Sequence, residues 1–182
     1  KAMEPDAARR YATADEFAHA LGQVMKQAVG VNPASAPGAA AVVPLLDDPG
    51  SPNPRVLLIH QFRHAANDQL WEVPAGTLAP GETPEACARR ELAEEAGMEA
   101  ARFQRLTTIF TTPGFTDERI HLYLATGLSS VALALEPDEF ITVHEKRWSD
   151  VGKMIRTGKI RDGKSLCALM YVNCFVRESG GR

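Results

Sequence analysis

The chain has 182 residues, of which 45% are hydrophobic and 24% charged, and its formal net charge at pH 7 is -3. This composition is typical of one ordinary globular protein with enough apolar side chains to form a core. The slight negative charge provides no basic surface for nucleic acid or for an anionic membrane, so neither is expected as a partner.

The cysteine pattern and the absence of long apolar runs indicate the compartment. Cys87, Cys167 and Cys174 show neither the number nor the spacing of a disulfide framework or a zinc site. No run of about 18 apolar residues indicates a membrane span, and the first ten residues lack the apolar stretch of an export signal. We therefore expect a reducing, cytoplasmic location.

A helix is predicted near the amino end, over residues 14–29. Thr13 and Glu16 have the spacing of a capping box, and apolar residues follow at helical intervals. A stretch rich in Pro, Ala and Ser then ends the helix. We divide the chain into a helical amino-terminal extension, residues 1–38, and one mixed α/β domain, residues 39–182.

Six strands are predicted in the domain, each a short apolar or β-branched run between turn residues. They cover residues 40–45, 56–61, 71–73, 105–111, 120–125 and 140–143. The first two are separated by a loop rich in Pro and Asp, and we expect them to be adjacent strands. The fourth and fifth are expected to be joined by a loop over residues 112–118.

Three further helices are predicted among these strands. The first has Thr83 as its N-cap and Pro84 at its first position, and it is expected to run to Ala96 with Gly97 as a left-handed C-cap. The other two are expected near residues 149–157 and 162–177. Helices and strands interleave without a repeating unit, so the order indicates a single α/β domain.

The most specific motif begins at Gly76. The chain fits the pattern G-x5-E-x7-R-E-U-x-E-E-x-G-U, with U aliphatic, through Gly76, Glu82, Arg90, Glu91, Leu92, Glu94, Glu95, Gly97 and Met98. So many fixed positions make a chance match negligible. The segment resembles the signature of the Nudix hydrolase family. The resemblance implies a Nudix fold, a mixed β-sheet sandwiched between helices (α/β/α), and metal-dependent hydrolysis of a pyrophosphate bond in a nucleoside diphosphate derivative.

The acidic residues of the motif also have a physical explanation. On a helix, Glu91, Glu94 and Glu95 fall within an arc of about 100°, and like charges at this spacing repel by roughly 0.2–0.5 kcal/mol per pair. A hard divalent cation, Mg²⁺ or Mn²⁺, offsets the repulsion and also binds substrate phosphates. The alternative is a solvated acidic helix face, but the spacing to Gly76 and Glu82 favours a metal site. Glu82 adds a fourth, less central carboxylate.

The family resemblance implies roles for individual residues of the motif. Glu91 and Glu95 correspond to metal ligands, and the backbone carbonyl of Ala75 completes the set. Glu94 corresponds to a water-mediated ligand or to a partner of the ligands, and a catalytic role for it stays open. Arg90 corresponds to a residue that orients a metal-binding glutamate, the alternative being an exposed salt bridge.

Three segments outside the motif resemble the ADP-ribose pyrophosphatase branch of the family. Residues 61–63 and 71–76 resemble its Q-x-R and x-E-x-P-A-G segments, residues 112–118 its S-P-G-x-S/T-D-E loop, and residues 158–166 its G-x-I-x-D-x-K-S/T-L tail. ADP-ribose, cleaved to AMP and ribose 5-phosphate, is therefore the expected substrate. The alternatives are another nucleoside diphosphate sugar or a dinucleotide such as NADH, and a non-catalytic ligand sensor on the same fold.

This branch resemblance implies a set of substrate-binding residues. Arg63 and Glu72 are expected to grip a phosphate and a ribose hydroxyl through charge-assisted hydrogen bonds. Pro113, Gly114 and Phe115 are expected to contact the substrate. For each residue the alternative is structural: a surface ion pair for Arg63 with Glu72, a turn for Pro113 with Gly114, and core packing for Phe115.

The branch carries its catalytic base on a loop well past the motif, and an acidic stretch occupies that place here. Glu139 stands two residues before Ile141, which matches the form E-x-I-x-V, and is the preferred general base. Glu136 is the second candidate. A solvated loop charge is the structural alternative for both.

A homodimer is also expected from the resemblance. Enzymes of this branch usually begin with β-strands that cross the dimer and help to hold adenine and ribose. This chain is predicted to begin with a helix instead, which leaves open both the swapped dimer and an adenine site shared with the partner.

Overall fold

The computed structural model describes residues 38–133 and 140–177. The predicted helix over residues 14–29 and the two candidate bases, Glu136 and Glu139, lie outside the described residues. The strands are β1 (Ala39–Pro44), β2 (Arg55–Arg63), β3 (Asp68–Glu72), β4 (Ala75–Thr77), β5 (Met98–Phe110), β6 (Arg119–Ser130) and β7 (Ile141–Arg147). The helices are α1 (Pro84–Ala96), α2 (Trp148–Arg156) and α3 (Gly163–Tyr171), and a π-helical segment, Val172–Arg177, follows α3.

The strands form two sheets. The first has the order β4-β1-β6-β5, in which β1 runs parallel to β6 and the other neighbours are antiparallel. The second is antiparallel, with the order β3-β2-β7. The expected mixed β-structure packed with helices is therefore present, divided between two sheets. No helix among the described residues is long and apolar enough to span a membrane.

Strand β1 lies in the interior of the first sheet and is covered on both faces. Its residues 40–43 are fully buried. Val43 belongs to one core cluster together with Leu169 of α3, whereas Val42 belongs to a second cluster together with Leu92 of α1. Because side chains alternate along a strand, a strand with a helix on each face has a continuous apolar sequence. The first sheet is thus the central layer of an α/β/α sandwich.

The first two predicted strands are not neighbours in one sheet, and that prediction was wrong. Among the described residues, one isolated bridge joins Leu45, which follows β1, to Val56 of β2. Both edges of β1 are occupied, by β4 and by β6, so β2 pairs with β3 and β7 instead. Which strands pair depends on long-range packing, which the sequence of the connecting loop does not determine.

Strand lengths also differ from the prediction. Strand β5 begins at Met98 rather than at Arg105, and β6 continues to Ser130. The added part of the β5–β6 hairpin contains exposed residues such as Glu99 and Arg102, which lack a clear apolar alternation. Backbone pairing between the two strands forms this part of the hairpin even though its side chains give little strand signal. No strand was predicted over residues 75–77, which form the short strand β4.

Helix α1 begins and ends where predicted, because local hydrogen bonds cap it. The Thr83 hydroxyl accepts from the Ala86 N–H at 3.2 Å. At the other end, Gly97 has a φ of 62° and donates its N–H to the Ala93 carbonyl at 3.1 Å. A Cβ on Gly97 would lie 3.3 Å from the Val131 carbonyl oxygen. Both the conformation and the close approach therefore favour glycine.

We expect Gly97→Ala to lower the free energy of unfolding by about 1–2 kcal/mol, because an L side chain is strained in the left-handed region. Gly152 lies in the interior of α2 with open space around its Cβ position. As a control, Gly152→Ala should raise the free energy of unfolding by roughly 0.5–1 kcal/mol. Urea unfolding of the three proteins measures both effects, and destabilisation of similar size by both substitutions would contradict the cap assignment.

Candidate active site

Three acidic residues of the motif surround the guanidinium group of Arg90. Its Nε and Nη2 donate to the two carboxylate oxygens of Glu82, each at 3.0 Å. Its Nη1 donates to Glu91 Oε1 at 2.6 Å and to Glu94 Oε2 at 2.9 Å. Nη2 also donates to the Thr77 carbonyl oxygen at 3.1 Å. Arg90 therefore joins the acidic face of α1 to β4 and to the loop that follows it.

These contacts keep Arg90 and Glu82 charged. The Arg90 guanidinium, together with a hydrogen bond from the Ala79 N–H, lowers the pKa of Glu82 from 4.5 to about 2. The hydrogen bonds from Arg90, first of all those to Glu82, raise the pKa of the guanidinium above its ordinary value. The expected contact between Arg90 and a glutamate of the motif is present, and Glu82 is a closer partner of Arg90 than the sequence indicated.

Glu91 and Glu95 pack against the backbone of two consecutive residues, Ala75 and Gly76. Glu91 is 8% exposed, and a Cβ on Gly76 would lie 1.8 Å from Glu91 Oε1. Glycine at position 76 therefore leaves the space that the carboxylate occupies. Glu95 is 4% exposed, and its Oε2 accepts from the Ala75 N–H at 2.8 Å. The two glutamates that correspond to metal ligands thus border the same short stretch of β4.

The acidic residues supply oxygen donors of the kind that a hard divalent cation prefers. Glu91, Glu95 and Glu94 offer carboxylate oxygens, and the backbone of Ala75 lies beside Glu95. Across the part of the chain that the structure describes, no three acidic, histidine or cysteine side chains form a ready metal-binding group. The oxygen donors fit a hard divalent cation, while Arg90 and the Ala75 N–H hold individual carboxylates.

A second charged cluster adjoins the same segment of chain and is centred on Glu72. This side chain is 1% exposed and accepts from Arg63 Nε at 2.9 Å and Arg63 Nη2 at 2.8 Å. Lys164 donates to the same carboxylate and, at 3.0 Å, to Asp162. Burial raises the pKa of Glu72, but the hydrogen bond from Arg63 and the charge of Lys164 outweigh it, so the pKa lies below its ordinary value. Glu72 is therefore ionised at neutral pH.

The first turn of α3 holds this cluster in place. Asp162, the N-cap of α3, accepts through Oδ2 from the Ser165 N–H at 3.0 Å and from the Ser165 hydroxyl at 2.6 Å. The Ser165 hydroxyl oxygen accepts in turn from the Val73 N–H at 2.9 Å. These bonds connect α3 to the segment between Glu72 and β4. Asp162 and Lys164 were not predicted as site residues: the D-x-K-S/T-L tail contains them, but no local pattern places the tail beside Glu72.

A cleft of about 520 Å³ opens beside both clusters. Arg63, Ala75, Gly76 and Lys164 contribute to its lining, and the β5–β6 hairpin adds Phe110, Thr111 and Glu118 at one side. Binding sites for small molecules typically have volumes of about 300–1,000 Å³. The cleft therefore has room for a nucleotide-sized ligand next to the acidic residues of the motif.

The predicted loop residues do not line this cleft. Pro113, Gly114 and Phe115 are exposed, and Phe115 has 85% of its surface accessible to solvent. Two residues at the base of the loop do line the cleft. These are Glu118, its last residue, and Thr111, which precedes the loop and donates its hydroxyl to Glu118 Oε2 at 2.6 Å. The turn was located correctly from the sequence, but its ends rather than its tip reach the site.

Comparison with known proteins defines the class of the protein. Residues 36–169 match the family model of the NUDIX domain, and the chain belongs to the Nudix family. The predicted family and the enzyme class of Nudix hydrolase are thereby confirmed. The ADP-ribose pyrophosphatase of Bacillus subtilis (strain 168) is 36% identical over 138 residues, which cover 75% of this chain and 72% of that protein.

Other relatives extend the comparison. The ADP-ribose pyrophosphatase of Mycobacterium tuberculosis (strain ATCC 25618 / H37Rv) is 45% identical over 95 residues, covering 52% of this chain and 44% of that protein. A GDP-mannose pyrophosphatase of Escherichia coli O1:K1 / APEC is 39% identical over 126 residues, covering 64% and 65%. The crystal structure of an ADP compounds hydrolase matches with a TM-score of 0.72 at 20% identity, covering 82% of this chain and 77% of the other, and shows the same fold.

We expect Glu82→Gln to flatten the acid side of the stability profile. The pKa of Glu82 is about 2 in the folded chain and 4.5 as its ordinary value. Its carboxylate therefore stabilises the fold fully above about pH 4.5, and this contribution is lost as the pH falls toward 2. Urea midpoints measured between pH 6 and pH 2.5 should fall more steeply for the wild type than for the variant, and parallel profiles would contradict the assignment.

Proposed function

We propose that this protein hydrolyses the pyrophosphate bond of a nucleoside diphosphate derivative with the help of Mg²⁺ or Mn²⁺, and that ADP-ribose, cleaved to AMP and ribose 5-phosphate, is its substrate. The observation that carries the proposal is the acidic cluster around Arg90, which adjoins a cleft lined by Arg63 and Lys164. Within the described residues of the two clusters and the cleft, carboxylates outnumber cations by seven to three. The carboxylates are Glu72, Glu82, Glu91, Glu94, Glu95, Glu118 and Asp162, and the cations are Arg63, Arg90 and Lys164.

The carboxylates of the acidic cluster repel a diphosphate unless positive charge is added beside them. When bound, a divalent cation neutralises phosphate charge and lowers the pKa of a water molecule. Glu91, Glu95 and the Ala75 carbonyl would hold it, with Glu94 as a water-mediated ligand or a partner of the ligands. Arg90 keeps the carboxylates of Glu91 and Glu94 oriented through its hydrogen bonds.

The cluster around Glu72 supports a phosphate-binding role for Arg63. Two guanidinium nitrogens, Nε and Nη2, are engaged by Glu72, and the Arg63 side chain lines the cleft with 42% of its surface exposed. A guanidinium fixed along one edge presents its remaining donors in a defined direction, which suits a phosphate oxygen. Glu72 itself is too buried to bind a ribose hydroxyl directly. We therefore propose that its role is to hold the Arg63 guanidinium in place.

The names of the relatives support ADP-ribose and indicate a second candidate. Two relatives named ADP-ribose pyrophosphatase are 36% and 45% identical, whereas a GDP-mannose pyrophosphatase is 39% identical. A nucleoside diphosphate sugar such as GDP-mannose is therefore the second candidate substrate. Pro113, Gly114 and Phe115 keep their proposed substrate contact only if the loop tip approaches the ligand on binding.

We also propose a homodimer in a reducing, cytoplasmic compartment. All three cysteines are free thiols in the structure, with Cys87 buried and Cys167 exposed. A reducing environment is the one in which an exposed thiol remains stable. Light scattering after size exclusion tests the homodimer, which should have twice the molecular mass of one chain in solution.

A substrate panel tests the proposal. We expect kcat/KM for ADP-ribose to exceed that for NADH, GDP-mannose and dNTPs at least tenfold, a difference of about 1.4 kcal/mol in transition-state stabilisation. The products are separated by chromatography, with Mg²⁺ and with Mn²⁺. A preference for another diphosphate would correct the substrate and keep the enzyme class, whereas no hydrolysis of any diphosphate would remove the proposal.

Glu91→Gln and Glu95→Gln should each lower turnover at least about a hundredfold with the fold intact, because each removes a charged oxygen ligand. Glu85→Gln is the matched control: Glu85 lies on the same helix, is half-exposed and pairs with Arg89 at 2.8 Å. Its substitution should leave turnover within about twofold. Steady-state kinetics and circular dichroism measure both quantities, and near-normal turnover of Glu91→Gln and Glu95→Gln would exclude them as ligands.

Glu139 is proposed to accept a proton from the attacking water. Glu139→Gln should lower kcat by about 10²- to 10⁴-fold with KM little changed, and part of the loss should be recovered at higher pH where hydroxide is more abundant. Glu136→Gln, measured in parallel, would take over the assignment if it alone caused the large loss. If neither variant slows the reaction tenfold, the base does not lie on this loop.

A further inference from the structure

The aromatic ring of Phe110 forms part of the wall of the cleft. Phe110 is the last residue of β5, and 52% of its surface is exposed. It lines the same cleft as Gly76, Arg63 and Lys164. Arg119 is its directly opposite partner on β6, and the guanidinium carbon of Arg119 lies 5.1 Å from the centre of the Phe110 ring. A cation therefore lies beside a half-exposed ring that lines the cleft.

Core packing does not account for an aromatic residue at this position. The neighbouring Ile109 packs against the core cluster that contains Leu122 and Leu169, whereas Phe110 belongs to neither core cluster of the described residues. A large apolar side chain exposed inside a concave site is typical of a ligand-binding surface, because a ligand that covers it removes apolar area from water.

We propose that Phe110, supported by Arg119, stacks on the nucleobase of the substrate. Every nucleobase has an aromatic face, so stacking on a phenylalanine accepts all of them. The guanidinium beside the ring adds a cation–π contact. Arg63 and Lys164 lie in the same cleft, which brings the base site and the phosphate-binding cations into one pocket of a single chain. The inference rests on the proposed function for the diphosphate and adds the location of the base.

The stacking contact requires a base but does not depend on which base it is. Adenine and guanine nucleotides should therefore depend on Phe110 to the same extent. A sugar phosphate that lacks a base should not depend on it. The two products of ADP-ribose cleavage, AMP and ribose 5-phosphate, provide this comparison directly, and GMP provides the second base.

The test measures binding rather than turnover. Dissociation constants of AMP, GMP and ribose 5-phosphate are determined by titration calorimetry for the wild type, Phe110→Ala, Phe110→Trp and Phe175→Ala. Phe175 is 64% exposed, lies on the π-helical segment against Tyr171, and does not line the cleft, so it is the matched control. We expect Phe110→Ala to weaken the binding of AMP and of GMP about tenfold each, while the dissociation constant of ribose 5-phosphate changes by less than about twofold. Phe110→Trp and Phe175→Ala should bind like the wild type.

Several outcomes would overturn the base site. In Phe110→Ala, these are an equal loss of affinity for AMP and ribose 5-phosphate, or an unchanged affinity for AMP. In the wild type, it is the absence of saturable AMP binding. Light scattering adds a further one: a changed molecular mass of Phe110→Ala, with the same loss for all ligands, would assign the ring to a contact between copies of the chain.

Failure of the proposed function gives a different result. Suppose that the wild type does not hydrolyse ADP-ribose but Phe110→Ala still weakens AMP binding tenfold. This result would support the base site and contradict the substrate assignment. If ADP-ribose is hydrolysed but Phe110→Ala leaves AMP binding unchanged, the result would support the substrate assignment and contradict the base site.

Discussion

The guanidinium group of Arg90 lies between the carboxylates of Glu82, Glu91 and Glu94, and the shape of the acidic site depends on this contact. Glu91 and Glu94 lie on α1, where carboxylates at this spacing repel one another, and the guanidinium between them and Glu82 offsets the repulsion. A planar guanidinium can bind several carboxylates at once, which the single ammonium of a lysine does less well. The additional bond from Arg90 to the Thr77 carbonyl fixes the helix relative to β4.

This arrangement makes the short segment from Glu72 to Thr77 the meeting point of the two helical layers. On one side, Glu91 occupies the space beside Gly76, and Glu95 accepts from the Ala75 N–H. On the other side, α3 reaches the segment through Lys164 and through the Ser165 hydroxyl bound to the Val73 N–H. The sandwich architecture therefore brings the acidic helix and the cationic cluster to one edge of the first sheet. A shift of α1 would displace the candidate metal ligands, and a shift of α3 would displace Lys164.

Features that depend on local chemistry could be predicted, and those that depend on long-range packing could not. The bounds of α1 follow from Thr83, Pro84 and Gly97, which cap the helix through bonds to nearby residues. The contact between Lys164 and Glu72 joins residues 92 positions apart, and nothing in either neighbourhood specifies it. The partners of β2 were misjudged for the same reason. The loop at residues 112–118 shows both cases, since turn residues located it but could not show that its ends, rather than Phe115, line the cleft.

Among the described residues, no three acidic side chains form a ready metal-binding group on their own. Magnesium commonly takes only one or two carboxylates from a protein and completes its coordination with water and with the phosphates of the substrate. Arg63 and Lys164 are paired with Glu72 and Asp162, so in the proposed function they would orient a diphosphate more than they attract it from solution. On the proposed function, the cation and the diphosphate therefore each need the other, because each supplies charge or ligands that the chain lacks. Thermodynamic linkage then requires the cation to raise the affinity for the diphosphate by the same factor by which the diphosphate raises the affinity for the cation.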